Sequence, residues 1–157
     1  MADDRAPFID RSPKLLVIGD VFSPTMIPLR IFVEQLVESG CDARFAAGIA
    51  EVLPGSADDG WFPELVLVCQ HGSDEYTTPD VHRLIGLYPL ARLVCCYGPW
   101  CASDGRTRDI WPLAVRVPVD AAPDRIRREL DVLSGSRQPL PLTASRDEIF
   151  LFDNALD

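Results

Sequence analysis

Lys14-Leu15-Leu16-Val17-Ile18-Gly19-Asp20 is a short apolar run that stops on a glycine and a carboxylate. Its length and the turn residues around it read as a strand covered on both faces, as in a parallel sheet. Asp20 then lies at the carboxyl end of that strand, where open α/β sheets carry their sites. Leu65-Val-Leu-Val-Cys69 repeats the pattern and reads as another fully buried strand.

Outward from these two runs, strands alternate with helix patterns. Leu29, Phe32, Val33 and Leu36 recur at helical spacing, after Pro24 and Pro28 and before Gly40. Asp42–Ala47 reads as a strand with Ala43, Phe45 and Ala47 on one side. Within Gly48–Pro63 only Ile49–Leu53 suits a helical turn. Gln70–Thr77 reads as a polar loop. Thr78-Pro79 reads as a helix start, with Thr78 as N-cap, Val81, Leu84, Ile85 and Tyr88 as the apolar face, and Pro89 as the stop. Leu93–Tyr97 and Ala114–Val119 read as strands four and five, separated by an irregular Gly98–Pro112. Asp120–Pro123 opens a last helix with Ile126, Leu130 and Leu133 inward and Gly135 at its end. Ser136–Pro141 reads as an extended linker, and Asp147–Phe152 as a sixth, peripheral strand or a docking peptide. Such alternation predicts a parallel sheet with right-handed crossovers.

Composition narrows the function classes. A chain of 157 residues suits one domain with a full core. A net charge of −9 argues against nucleic-acid binding, which needs cations for the phosphates. No apolar run approaches the ~20 residues of a membrane span. The acidic N-terminus is not expected to be a secretory signal, so a cytoplasmic location is expected. Lys14 is the single lysine among 15 cations, which excludes a mechanism needing a second one. Cys41, Cys69, Cys95, Cys96 and Cys101 are then expected as thiols.

The whole arrangement resembles the receiver domain of bacterial response regulators, over roughly Pro13–Gly135. Three passages carry the resemblance. Lys14–Asp20 is similar to the receiver's first strand, which ends in an acidic pair. Pro63-Glu-Leu-Val-Leu-Val-Cys69 is similar to the third, which ends in the phospho-accepting Asp. Val115-Arg-Val117-Pro118 is similar to the fifth, where receivers carry Lys before Pro. The resemblance implies a three-layer flavodoxin-like fold with a five-stranded parallel sheet of order 2-1-3-4-5. It divides the chain into a flexible N-terminus (1–12), a receiver-like domain (13–135), and a linker with a C-terminal docking segment (136–157).

The same resemblance implies a degenerate pocket made of Gly19, Asp20, Cys69, Cys96, Tyr97 and Val117. Gly19 fills one place of the acidic pair, Cys69 the place of the acceptor Asp, and Val117 that of the Lys. Cys96 and Tyr97 stand near the Ser/Thr that ends strand four. Receiver chemistry needs Mg²⁺, a hard cation with oxygen ligands, and a thiol matches it poorly. The expectation is therefore a non-enzymatic signalling domain without a cofactor. Its partner would be a protein, a second copy of the chain included.

Other readings compete at each position. Asp20 is either a ligand contact or a turn residue bonding backbone N–H groups. Cys69, His71, Cys96 and Cys101 are either a soft-metal or thiol redox site, or buried small apolar residues. Adjacent strand residues point to opposite faces, so Cys95 and Cys96 cannot easily share an ion. Cys69 as a nucleophile would need a base such as His71 or His82. Arg106, Arg108 and Arg116 offer an anion site, which with Asp20 makes a small-molecule or nucleotide sensor, although no phosphate-binding loop is present. Trp61-Phe62, Trp100 and Trp111 are expected to cap the core where helices are missing.

Overall fold

The computed structural model describes residues 12–52, 60–101 and 110–154. Its core is a five-stranded, all-parallel sheet of order β2-β1-β3-β4-β5. The strands are β1 (Lys14–Ile18), β2 (Asp42–Ala46), β3 (Leu65–Gln70), β4 (Arg92–Tyr97) and β5 (Arg116–Pro118). Among the described residues four helices accompany them: α1 (Ile27–Glu38), α2 (Thr78–Leu87), α3 (Ala122–Leu133) and α4 (Arg146–Asn154). This is the flavodoxin-like α/β fold: the strand–helix alternation predicts its parallel sheet, and the receiver resemblance implies its strand order. No helix among the described residues is long and apolar enough to cross a membrane.

β1 from Leu15 to Ile18 and β3 from Leu65 to Cys69 are apolar because each face of the sheet is covered. Leu15, Val17, Leu67, Cys69, Cys96 and Val117 pack under α1 and α3. Leu16, Ile18, Val66, Val68, Cys95 and Val115 pack on the other side, under α2. Alternate residues of one strand therefore feed two separate cores. Leu29, Phe32, Val33 and Leu36 are the buried residues of α1. That helix ends when Gly40 turns to φ +105° and the N–H groups of Gly40 and Cys41 return to Val37 and Leu36. These are the bonds of a Schellman motif.

Several boundaries differ from the sequence reading. The N-cap of α2 is Thr77, not Thr78, because Thr77 Oγ1 reaches the Asp80 N–H at 3.3 Å. Gln70 belongs to β3 and is fully buried, not part of the polar loop. β5 is only three residues long: Leu113–Val115 form a 3₁₀ turn, and Pro118, which has no N–H to give, ends the strand at the sheet's edge. Between β2 and β3 the described chain makes one 3₁₀ turn, Ile49–Val52. The aromatic residues divide. Trp111 is buried edge-on to Tyr76, with centroids 5.9 Å apart. Trp61 packs against the same core and donates to Asp42 at 2.9 Å. Phe62 and Trp100, expected as caps, are instead 64% and 82% exposed. Phe8 and Ile9, the apolar pair in the polar N-terminal stretch that would suit an anchor on the body, lie outside the described residues.

The C-terminal segment forms a helix, α4, rather than a sixth strand. Ser145 and Glu148 close a reciprocal capping box, each side chain accepting the other's backbone N–H at 3.2 Å. Ile149 and Phe152, three residues apart, then face Ala114, Leu140 and Ala144. Asp153 fastens the helix by two bonds to Arg125.

Candidate functional site

Parallel strands in register bring six positions to the carboxyl edge of the sheet. Cys69 lies beside Cys96, and Cys96 beside Val117; Tyr97 follows opposite Gln70. Gly19 and Asp20 continue β1 past its last pair, Ile18 with Val68. Cys69, Cys96 and Val117 are buried and face the α1–α3 layer. The Tyr97 ring sits under the Arg116 guanidinium at 4.6 Å, and Arg116 donates to the Cys101 carbonyl. Arg106 and Arg108 lie outside the described residues.

Past the last β1–β3 pair the strand ends are closed over by a residue that the sequence reading missed. Tyr76, at the end of the loop after β3, donates its hydroxyl to the Cys69 carbonyl at 2.7 Å. That contact presses on Gly19, whose φ is +99°. A Cβ placed there would stand 2.8 Å from both the Cys69 carbonyl oxygen and the Tyr76 hydroxyl. Only glycine fits such a conformation at such a distance. One aromatic side chain in an otherwise polar loop was the available signal.

Asp20 is exposed, and its carboxylate accepts the Phe22 N–H at 3.0 Å, a turn-forming bond within its own segment. His71 holds the neighbouring loop to that turn. Its Nε2 lies 2.9 Å from the Asp20 carbonyl, which can only accept, so Nε2 carries the proton. In the neutral ring Nδ1 then accepts from the Thr25 hydroxyl at 3.3 Å. Glu75 completes the loop by accepting the His71 N–H at 2.7 Å. His82 is exposed on α2.

The thiols fall into two groups. Cys69 and Cys96 belong to the core under α1 and α3. Cys95 faces the opposite core, where its thiol meets the buried Gln70 amide oxygen at 3.4 Å, and Cys101 lies against the Gln70 carbonyl. Cys101 is thus placed with Cys95 and not with Cys69 and Cys96. Among the described residues no three His, Cys, Asp or Glu side chains gather as a metal cluster. The edge residues do not fit Mg²⁺ either. They offer one carboxylate, already turned onto Phe22, and a soft thiol in place of an oxygen donor.

Burial is the first cause that pushes the Cys69 thiol from about 9 up to about 12, with the negative charges of Glu75 and Asp20 adding to it. Burial likewise raises Cys95 and Cys96. Near neutral pH these groups are thiols, while nucleophilic attack needs a thiolate. The shift also predicts a pH dependence of stability. The unfolded chain ionises at Cys69 near pH 9 and the folded chain does not, so stability is whole below that pH and is lost as pH climbs toward 12. Cys69 alone should remove about 2 kcal/mol between pH 9 and 10.5. Urea denaturation across that range should show a smaller loss, by about that amount, in Cys69→Ala.

Comparison with known proteins returns no matching family model, no matching curated protein and no matching solved structure.

Proposed function

We propose that this chain is a receiver-like domain that does not accept phosphate and works through protein contacts. The observation that carries this reading is the filled carboxyl edge. Gly19, the Cys69 carbonyl and the Tyr76 hydroxyl occupy the space past the last β1–β3 pair, and the Asp20 carboxylate is engaged in its own turn. A phosphoryl group meets a thiol at Cys69 in place of an acceptor carboxylate, and Val117 in place of an ammonium partner.

The contact half of the reading draws on the opposite border of the molecule. β2 is an edge strand, and Phe22, Val37 and the β2 residue Phe45 remain exposed together there. A groove of about 290 Å³ runs between Phe22, Val33, Val37 and Phe45, with Arg30 and Glu34 at its border. Apolar surface collected in this way marks interaction sites more often than scattered exposed residues do. The partner is a protein, a second copy of the chain included; a chain of net charge −9 is ill-suited to nucleic acid.

Incubation with acetyl phosphate and Mg²⁺, followed by intact-mass measurement, tests the reading. The expected spectrum is that of the untreated chain. A phosphoryl adduct mapped to Asp20 would overturn it.

A further inference from the structure

A second recess lies at the other end of the sheet, where the chain leaves α2 and enters β4. It encloses about 230 Å³. Leu84, Ile85 and Leu93 line one part of it, and Val115, Leu140 and Leu142 another. Leu90, 94% exposed, stands at its rim. The volume is below the usual range for drug-sized ligands and suits a molecule of about ten non-hydrogen atoms.

The recess carries one charged pair, and that pair is held rigidly. Glu129 is only 2% exposed. Arg92 Nε and Nη2 donate to its two oxygens at 2.5 and 3.2 Å. Nη2 also donates to the Leu140 carbonyl at 2.8 Å. A guanidinium has five N–H groups, and these bonds use the Nε and Nη2 side of the fork. Nη1 has no hydrogen bond to a described residue, and Arg92 itself lines the recess. An arginine fixed on three acceptors presents the remaining donors without a further ordering cost.

We infer that this recess binds a small carboxylic acid with a compact apolar body, its carboxylate on Arg92 Nη1 and its body among Leu84, Ile85, Leu93 and Leu140. The site is separate from the carboxyl edge and does not depend on the receiver-like reading. Glu129 cancels the net charge of Arg92, so recognition rests on directed hydrogen bonds and apolar fit. Affinity should accordingly be modest, with Kd about 0.1–1 mM.

Phenylacetate is a suitable probe, with 2-phenylethanol as a control of the same body that lacks the carboxylate. Titration of the full chain, followed by amide chemical shifts, should give saturable changes at Ala91, Arg92, Leu93, Leu140 and Leu142. The alcohol should bind about tenfold more weakly. Arg92→Lys keeps a cation beside Glu129 but loses the planar donors, and should also weaken phenylacetate about tenfold. Ile85→Trp should fill the recess and abolish binding; if Arg92→Lys fails to fold, this variant decides alone. No saturable shift up to about 10 mM would overturn the inference. So would an alcohol that binds as well as the acid, or binding that survives Ile85→Trp.

Discussion

Gly19→Ala is expected to lower the stability of the fold by about 3–5 kcal/mol, the largest effect among the described glycines. Two costs combine. A φ of +99° is strained for any residue with a side chain. The new Cβ would also stand 2.8 Å from the Cys69 carbonyl oxygen, which belongs to the central strand and cannot swing aside. Relief would require β1 to move away from β3, against the register of Leu15 through Ile18. Gly72→Ala is the internal control, since nothing lies within 4 Å of a Cβ at that position. It should change stability by less than about 1 kcal/mol. Tyr76→Phe removes one of the two close oxygens, so in that background Gly19→Ala should cost measurably less. Urea denaturation of the four variants checks all of this.

Asp153→Ala is expected to cost about 3 kcal/mol, although Asp153 sits in the last described turn of the chain. The reason is its partner. Arg125 is 2% exposed and donates to Asp153 at 2.5 and 2.6 Å and to the Ala114 carbonyl at 2.6 Å. Without Asp153 a buried guanidinium keeps its charge and loses its counter-ion. The loss falls at the lower end of the range for broken buried pairs because Asp153 is 31% exposed, and water can enter where it stood. The double variant Arg125→Met, Asp153→Leu should recover most of the stability, since apolar replacements of similar volume avoid the desolvation cost. Chemical denaturation of the single and double variants distinguishes an orphaned charge from a general loss of α4.

The sheet was legible because β1 and β3 are covered on both sides, so each is apolar at every position from Leu15 to Ile18 and from Leu65 to Cys69. The helices were legible where one apolar stripe repeats, as in α1. Three features escaped for physical reasons. Gln70 is polar, so a boundary drawn by polarity left it outside β3; inside the fold its amide is satisfied by Gly72 and Cys95. Over Asp147–Phe152 the window is too short to tell alternation from a helical stripe. The deciding signal was the Ser145–Glu148 spacing, with two acids in the first turn of α4. Tyr76 and Arg125 act through partners that only tertiary folding brings near: a backbone carbonyl for one, the C-terminal helix for the other.

The candidate site divides in the same way. Its positions could be read from the sequence, because the ends of β1, β3, β4 and β5 follow from the strands themselves. What fills it could not. The closure of the strand ends depends on the conformation of Gly19 and on a hydroxyl seven residues beyond Cys69, neither of which leaves a periodic trace.

Fluorine NMR of the full chain with beryllofluoride and Mg²⁺ tests the central claim most directly, because beryllofluoride imitates a phosphoryl group on a receiver carboxylate. With Tyr76 and Cys69 closing the space beside Gly19, only free fluoride species should be seen, and the amides of Gly19, Asp20 and Cys69 should keep their shifts. A protein-bound fluorine resonance, accompanied by movement of those three amides, would contradict the account.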